Sequence, residues 1–409
     1  MRLGIVVTEF PKTTETFILR DIMEFSRNGH ELRVYHMSPF RKKEVLHEFA
    51  RPILQWTRSF PFLLGRKPFG ALMRAVFLHP VKFFTILGQI LWGFRTSPVY
   101  LAKSIAFLPK FLACAEDLKE WGAEHVHGEF ATHPGTCCWI AGRMTGLPYS
   151  VSCRAHDIFI TQAMLDRKLG EAAFIRTISE FNVKFLKERV PALAGRDMAV
   201  IHSSLHIERI VPEAYPPAGP FTVLYVGSLE FRKGINFLLE ALHEVGPELG
   251  DWRAIVIGEG PEHARMEALS ARLGLTDRVG FIGAQSHESV ARHYAGAHVV
   301  VTPSIIGPGG RTEGIPNVVI ETLAHERPSI TTRVSGIPEL VENGVTGYLV
   351  EPEDSGAIAA ALRDIHRDPA AAHALARNGR RRVEAEFDIV KNAKRQLELF
   401  AAHSTNRQG

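Results

Sequence analysis

Short apolar strands alternate with helices along this chain in two runs, and a proline-rich stretch separates them. The first run opens with the strand of residues 1–8 and ends near Ile201, and the second begins with a strand at 221–226. Such alternation is typical of parallel sheets that are covered by helices on both faces. The sequence therefore predicts an α/β protein with two doubly wound, Rossmann-like domains facing each other across a cleft, with ligands at the carboxyl ends of the strands.

The domain boundaries follow from the same pattern. Prolines cluster between Pro212 and Pro220, which is typical of a linker. A last helical stretch is predicted from Pro369 to about Ala401, and we expect its end to pack back on the first domain. The predicted parts are an N-terminal domain at 1–202 with an insertion at about 40–112, a linker at 203–220, a second domain at 221–385 and a C-terminal helix at 386–409.

Composition excludes several classes of protein. Hydrophobic residues make up 45% of the chain and charged residues 22%, as in globular proteins and unlike disordered ones. The longest uncharged apolar run, at 83–94, is shorter than the roughly 20 residues that a membrane span needs. None of the 4 cysteines forms a Cys-x-x-Cys pair, which argues against a zinc site or a disulfide framework. No Asp-x-Asp motif occurs, so we expect no metal–diphosphate clamp and no metal.

Residues 41–110 are strongly basic and rich in aromatic side chains. This segment has twelve Lys or Arg residues against two Glu residues, a net charge of +10 in a chain whose total is +4. Basic side chains interleaved with Trp, Phe and Leu favour contact with an anionic membrane. The alternative is a helical subdomain whose aromatic side chains form an ordinary core. Nucleic-acid binding is a third possibility, but no recognised binding module accompanies the charge.

The segment 307–321 combines a glycine-rich loop with two spaced carboxylates. Gly307-Pro308-Gly309-Gly310 leads into Arg311-Thr312-Glu313-Gly314-Ile315-Pro316-Asn317-Val318-Val319-Ile320-Glu321. A loop that feeds a helix start offers free N–H groups and a positive dipole end to a phosphate. Glu313 lies where the helix is predicted to begin and Glu321 lies two turns further, so both could bind sugar hydroxyls. The alternative is that Glu313 only caps the helix and Glu321 is a surface charge.

This segment resembles the signature of the family-4 retaining nucleotide-sugar glycosyltransferases. In that family a Glu, seven residues and a second Glu lie within an E-G-x-P-x-x-x-x-E-A stretch. Here the stretch runs from Glu313 to Glu321, with Thr322 in place of the usual Ala. The resemblance is dense from about 220 to 365 and thinner in the N-terminal half. It implies the GT-B architecture, with the acceptor on the N-terminal domain and the nucleotide sugar on the C-terminal one.

The resemblance also implies roles for single residues. Glu313 would contact the transferred sugar, and Glu321 would bind the nucleotide ribose. Backbone amides after Glu313 would hold the diphosphate, although Pro316 has no N–H to give. The positions assigned in this way to the nucleotide-sugar site are Gly227, Ser228, Arg232, Lys233, Gly283, Gly310, Gly314, Ile315, Pro316, Asn317 and Glu321.

The phosphate-binding motif departs from the family pattern at one position. The family's G-R-L-x-x-x-K-G reads Gly-Ser-Leu-Glu-Phe-Arg-Lys-Gly at 227–234. Lys233 matches the family Lys, but Ser228 stands where the family has Arg. Our hypothesis is that Arg232, next to Lys233, replaces the missing cation.

Four residues of the N-terminal domain are further candidates. His156 matches a family His at the reacting side of the donor sugar and is the second catalytic candidate, beside Glu313. His127 matches another family His near the cleft, although a lone His is more often structural. Thr14 and Glu15 lie in a stretch, 10–18, that resembles a subgroup building bacterial exopolysaccharides such as colanic acid. They are acceptor or cleft candidates, and helix capping is the alternative for both.

The predicted function is that of a retaining, metal-independent hexosyltransferase without a cofactor. Its donor would be a UDP- or GDP-sugar, and its acceptor a lipid-linked saccharide in bacterial exopolysaccharide or cell-envelope glycan synthesis. We expect a peripheral position on the cytoplasmic face of the inner membrane, contacts to the anionic surface through 41–110, and no nucleic-acid partner. Two alternatives are another nucleotide-sugar enzyme, such as an epimerase, and a degenerate, non-catalytic sugar-binding module, which Ser228 would favour.

Overall fold

The structure is a computed structural model of the chain, and it describes residues 1–12, 15–41, 48–62, 65–308, 312 and 314–405. The chain folds into two compact units. The first unit comprises Met1–His202 and Ile389–Gly409, and the second comprises Ser203–Asp388. Each unit is built on a parallel sheet, so the predicted α/β class is confirmed.

Within the described residues, the first unit has a seven-stranded parallel sheet with the order β3-β2-β1-β4-β5-β6-β7. Its strands are β1 (Arg2–Val7), β2 (Glu31–His36), β3 (Thr57–Arg58), β4 (His125–Glu129), β5 (Tyr149–Cys153), β6 (Phe174–Thr177) and β7 (Ala199–Val200). β1 is buried from Leu3 to Val7 because both faces of a parallel sheet are covered. The strand order reverses between β1 and β4, where doubly wound sheets bind their ligands.

Nine helices accompany this sheet in the part of the unit before residue 203 that the structure describes. They are α1 (Thr16–Arg27), α2 (Ile53–Trp56), α3 (Arg66–Leu78), α4 (Pro80–Gly93), α5 (Pro98–Trp121), α6 (His133–Thr145), α7 (His156–Phe159), α8 (Leu165–Gly170) and α9 (Glu180–Arg189). α1 buries the apolar stripe that includes Ile18, Ile22 and Phe25. The helix begins after Glu15.

The described part of the second unit has a six-stranded parallel sheet with the order β10-β9-β8-β11-β12-β13. Its strands are β8 (Phe221–Val226), β9 (Trp252–Ile257), β10 (Val279–Phe281), β11 (Val299–Thr302), β12 (Ser329–Thr332) and β13 (Tyr348–Val350). Its helices are α10 (Ile235–Val245), α11 (His263–Arg272), α12 (His287–Ala295), α13 (Asn317–Ala324), α14 (Ile337–Leu340), α15 (Ser355–Arg367) and α16 (Pro369–Glu386). The order reverses between β8 and β11, so the crevice of this sheet lies beside those two strands.

The predicted linker, 203–220, lies against the second unit. The Tyr215 hydroxyl donates to the carbonyl of His298 at 3.1 Å. The buried guanidinium of Arg327 donates to the carbonyl of Glu213 at 3.2 Å. These contacts make the proline-rich stretch an ordered edge of the second unit.

The last helical stretch is two helices rather than one. α16 ends at Glu386, and α17 (Ile389–Ala402) belongs to the first unit. The break falls at Phe387 and Asp388 because Leu205 pairs with this segment, and its N–H donates to the Phe387 carbonyl at 3.0 Å. α17 then packs on α1, with the rings of Phe25 and Phe400 5.5 Å apart.

The insertion contains α2 to α5 and the edge strand β3. By length and composition α5 could cross a membrane, as could α3 and α4 if they formed one bent span. Half of the apolar window of α5 is buried inside the unit. Lys110, within α5, is buried and donates to the carbonyl of Met37 at 2.9 Å. The second half of α5 is therefore a core helix of the first unit.

Candidate nucleotide-sugar site

The loops that leave β8 and β11 form the crevice of the second sheet. The loop after β8 is 227–234, which contains the predicted phosphate-binding motif. The segment after β11 leads through 303–316 to α13. Because both loops leave the carboxyl ends of strands beside the point where the strand order reverses, they meet where such sheets bind nucleotides.

Glycines let the loops after β8, β9 and β11 approach one another closely. A Cβ on Gly258 would lie 1.9 Å from the carbonyl oxygen of Gly227. Gly234 has a φ of +63°, and a Cβ there would lie 2.0 Å from the carbonyl oxygen of Pro303. The N–H of Ile305 donates to the carbonyl of Arg232 at 2.8 Å, which joins the two loops directly. The predicted site residue Gly283 also takes part, since its carbonyl accepts from the N–H of Gly258 at 3.0 Å.

The cations of the β8 loop surround one carboxylate. The Nε of Arg232 donates to Glu230 at 2.9 Å, and the Ser228 hydroxyl also bonds to that carboxylate. Partial burial by itself raises the pKa of Glu230. The hydrogen bonds from Arg232 and Ser228 and the charge of Lys233 outweigh it and lower the pKa. Ser228 therefore lies beside Arg232, as the hypothesis of a replacement cation requires, but Arg232 is engaged by Glu230.

Lys233 is distinctive within its unit. It is the only lysine between Lys187 and Lys391 in a stretch that has many arginines. A compact ammonium at the crevice suits a phosphate as a point charge. The isolation of this lysine in the sequence indicates a functional position independently of the motif.

Glu321 is held by a buried tyrosine. It lies half-buried in α13, and its Oε2 accepts from the Tyr294 hydroxyl at 3.1 Å. Burial and the neighbouring carboxylate raise the pKa of Tyr294 well above its usual value, so this hydroxyl stays a donor. The contact orients one carboxylate oxygen and opposes the alternative that Glu321 is a free surface charge.

The start of α13 offers backbone donors. Gly314, Ile315 and Pro316 are buried and lead into the helix, which begins at Asn317. The first N–H groups of a helix have no partner within it, and the helix dipole favours an anion there. The arrangement suits a diphosphate. Glu313 and Gly310, which the sequence also assigns to this site, lie outside the described residues.

In the first unit, His156 lies at the carboxyl end of the sheet. It follows β5, begins α7 and has an exposed imidazole. The buried carboxylate of Asp157 accepts from the N–H of Ala131 at 2.8 Å and of Arg154 at 3.0 Å. These bonds fix the turn that places the exposed His156 at this edge of the sheet.

The loop after β1 places Glu15 at the same edge. Lys12 pairs with Glu15 at 2.8 Å and with Glu9 at 3.2 Å. Burial raises the pKa of Glu15, although Lys12 opposes this. Glu15 precedes α1 without a capping bond from its side chain, so capping does not explain it. Thr14 lies outside the described residues.

His127 is buried rather than open to a ligand. Its two ring nitrogens lie 2.7 Å from the hydroxyl of Ser150 and 2.9 Å from that of Ser152. Burial lowers the pKa of His127 well below its usual value, so the ring is neutral. These contacts favour a structural role over the predicted contact with a substrate.

A buried network of charges beneath this edge is missing from the sequence prediction. Arg154 donates to Glu129 at 2.7 Å, and Arg176 donates to Asp21 at 2.9 Å. All four side chains are buried. They come from three strands or their ends and from α1, and no spacing in the sequence connects them.

The described residues contain no group of three or more His, Cys, Asp or Glu side chains that could hold a metal ion. The described part of the site offers a lysine, a guanidinium, helix amides and a carboxylate.

Comparison with known proteins gives the family. The family model described as Glycosyl transferases group 1 matches residues 207–382. The chain is 31% identical over 421 residues to the putative colanic acid biosynthesis glycosyltransferase WcaL of Escherichia coli (strain K12), which covers 95% of this chain and 96% of that protein. It is 31% identical over 169 residues to the amylovoran biosynthesis glycosyltransferase AmsK of Erwinia amylovora, over 41% of this chain and 42% of that one.

Solved structures agree on the fold. Anabaena Alr3699/HepE, solved in complex with UDP, superposes with a TM-score of 0.73 at 18% identity, over 98% of this chain and 100% of that chain. The lipopolysaccharide outer core galactosyltransferase WaaB superposes with a TM-score of 0.66 at 17% identity, over 97% and 99% of the two chains. The predicted GT-B fold is confirmed, and with a relative of 31% identity along nearly the whole chain, this protein belongs to the group 1 glycosyl transferases.

Proposed function

We propose that this glycosyltransferase moves a sugar from a nucleoside-diphosphate sugar to a lipid-linked saccharide with retention of the anomeric configuration, and that it needs no metal. The observation that carries the proposal is the junction of the β8 and β11 loops. There the Lys233 loop is bonded to the segment that leads into α13 and Glu321. Phosphate, ribose and sugar contacts would thus lie along one crevice of the second unit.

The leaving diphosphate would be stabilised by this chain's own groups. Lys233, and Arg232 once it is released from Glu230, would neutralise its charge, and the first amides of α13 would donate to its oxygens. We assign Glu313 the contact with the transferred sugar and Glu321 the ribose hydroxyls. The leaving phosphate itself would take the acceptor's proton on the same face, so neither Glu313 nor His156 is assigned the role of a general base.

The relatives support the choice of substrates. HepE was solved with UDP and with UDP-glucose, so a UDP-sugar is the first donor to test and a GDP-sugar the alternative. The names of WcaL and AmsK refer to colanic acid and amylovoran biosynthesis, which supports a role in exopolysaccharide synthesis. A growing, lipid-linked saccharide at the cytoplasmic face of the inner membrane is the corresponding acceptor.

Calorimetric titration with UDP and with GDP, in the presence of EDTA, tests the site. We expect one nucleotide to bind. Lys233→Ala should weaken that binding about ten- to a hundredfold because a charge-assisted contact contributes roughly 1.5–3 kcal/mol. Arg265→Ala is the matched control, since Arg265 pairs with Glu262 on the exposed face of α11.

Two results would contradict the proposal. Binding of neither nucleotide by folded protein would favour the degenerate module, and unchanged affinity in Lys233→Ala would remove Lys233 from the site.

Retention is tested separately, by the anomeric configuration of the product in a proton NMR spectrum. Turnover that EDTA abolishes and Mg²⁺ restores would overturn metal independence.

A further inference from the structure

The helices of the insertion expose a cluster of apolar side chains. Of the seventeen large hydrophobic side chains that are exposed in the described part of the chain, nine lie between Phe69 and Ile105. Their exposed fractions reach 74% for Phe77 and 80% for Val81. Contiguous exposed apolar patches of this kind mark interaction sites in otherwise soluble domains. We call the six central side chains the apolar ridge: Phe77, Leu78, Val81, Phe84, Leu91 and Trp92.

α4 has two apolar faces, and only one of them packs against the core of the first unit. Phe83, Ile86 and Ile90 are buried in the core of the first unit. At about 100° per residue, the exposed positions 81, 84, 88, 91 and 92 fall on the opposite side of the same helix. A helix that is apolar on two opposite faces is expected to be covered on both of them. The second face of α4 is therefore open to a partner outside the unit.

The geometry favours a surface contact over a membrane span. The chain turns by 110° between α3 and α4. The 14 residues of α4 are about 21 Å long, against the roughly 30 Å of a bilayer's hydrocarbon core. α5 has the length of a span, but its second half is buried in the unit. Helices of this kind lie in the plane of the interface with one apolar face immersed.

The chain segment that carries the ridge has charges of one sign, and the carboxylates beside it, Glu116 and Asp117, come from the end of α5. No Asp or Glu occurs between Phe49 and Ala115. The guanidinium of Arg95 stacks on the ring of Trp92 at 4.0 Å, a pair that suits the boundary between lipid and water. Six exposed cations lie on or beside the ridge helices, but Arg74 bonds to Glu116 at 2.9 Å and Lys67 lies 3.8 Å from Asp117. The four that remain for contact with a surface are Arg66, Lys82, Arg95 and Lys103. Lys110, which the sequence placed in the same basic surface, is excluded because it is buried.

We propose that the apolar ridge and the four cations Arg66, Lys82, Arg95 and Lys103 dock on the surface of an anionic phospholipid bilayer, with Phe77, Val81 and Trp92 inserted among the lipids. Two like copies of this face would bring their cations together, which opposes self-association through the ridge. Acidic headgroups would neutralise the same cations. The ridge lies wholly in the first unit, so this proposal stands independently of nucleotide binding in the second unit.

Flotation of the full chain with vesicles tests the docking. We expect binding to phosphatidylcholine vesicles that contain about 30 mol% phosphatidylglycerol, and binding at least tenfold weaker to pure phosphatidylcholine or at high salt. Vesicles with lipids brominated on the acyl chains should quench tryptophan fluorescence, and Trp92→Phe should remove most of that quenching.

Two variants separate the apolar and charged contributions. Phe77→Ser with Val81→Ser, and Lys82→Glu with Lys103→Glu, should each reduce vesicle binding at least tenfold. Val211→Ser is the matched control, because Val211 is 73% exposed in the second unit. All of these positions are exposed, so unfolding temperatures and nucleotide affinity should not change.

Three outcomes would overturn the proposal. These are no binding to the anionic vesicles by folded protein, equal binding to neutral vesicles, and unchanged binding in the Phe77/Val81 variant. A lipid-free dimer that becomes a monomer in that variant, without vesicle binding, would assign the ridge to a second copy of the chain instead.

Discussion

Arg154 and Arg176 are two buried cations in the core of the first unit, and each is paired with a carboxylate. Arg154 bonds to Glu129 and Arg176 to Asp21, and a weaker contact of 3.5 Å joins Arg154 to Asp21. Removing one partner of such a pair leaves a buried charge uncompensated, which costs about 3–5 kcal/mol. The network therefore holds the ends of β4 and β5 in one arrangement beneath His156.

His127 gives the first unit a predicted dependence on pH. Its pKa is lowered in the folded state by burial, whereas the unfolded chain titrates near 6.5. The unfolded state thus binds more protons as the pH falls below about 6.5, and folding becomes less stable. We expect His127→Gln to reduce the slope of unfolding free energy against pH by about 1.4 kcal/mol per pH unit between pH 6 and 4.5. Hydrogen exchange in β4 and β5 measures this.

The unfolding free energies of the wild type and of His127→Gln at pH 8 serve as the internal control. The ring is neutral in both states there, so any difference between His127→Gln and the wild type reports packing alone. Burial lowers the pKa of His125 and of His133 to about 3 in each case, so a slope of the same sign should remain in the variant. A slope identical to that of the wild type would contradict the buried, neutral state of His127.

Motif spacing predicts site roles for single residues, Lys233 and Glu321 among them, and nucleotide titration tests those roles. Glu129 and Arg154 have no comparable pattern, because their contact depends on how the ends of β4 and β5 meet. The role of Arg232 could not be predicted from adjacency to Lys233, since Glu230, two residues away, determines where its guanidinium lies.

At the scale of elements, α17 completes the core of the first unit. Phe400 is fully buried and packs against Phe25, His125 and Phe174, with ring centroids 5.1 to 5.7 Å apart. We expect Phe400→Ala to lower the free energy of unfolding of this unit by about 3–5 kcal/mol, as loss of a buried aromatic ring does. Urea denaturation measures the change. Val390→Ala, at an exposed position of the same helix, should have little effect, and a small change in Phe400→Ala would show that α17 is not integral to this core.

The ends of long apolar strands could be predicted to within a residue or two, but the individual elements of the insertion could not be predicted. β1 and β8 lie where the apolar runs predict them. β3 has only two residues, and neither it nor α2 has enough length for a periodic pattern. The alternative of an ordinary aromatic core in this segment holds for Phe83 and Phe94, which are buried, and fails for Phe84, which lies on the second, exposed apolar face of α4.

At the scale of the whole molecule, bound nucleotide should stabilise one unit directly. A ligand at about a hundred times its dissociation constant adds roughly 2.7 kcal/mol to the stability of the state that binds it. We expect UDP or GDP to slow hydrogen exchange in residues 203–388, most strongly in 227–234 and α13. Lys233→Ala, at the same nucleotide concentration, should lose about half of this protection or more, and protection confined to residues 1–202 would place the nucleotide in the other unit.

The family and fold could be predicted from the sequence because the motifs of 220–365 are dense. The extent of the first unit is harder to predict from the sequence, since its final helix is separated from the rest by 186 residues of the second unit. Sequence patterns report neighbours along the chain, and this contact between distant segments depends on tertiary packing.

Leu205 lies beside Phe387 and Asp388, so the chain leaves the first unit and returns to it at neighbouring points. During synthesis from the N-terminus, the ribosome must therefore make all of the second unit before it makes Phe400. Until then Phe25, His125 and Phe174 lack the side chain that covers them. The unit whose translation begins first is the one that can finish folding last, and its exposed core in that interval is a natural binding site for chaperones.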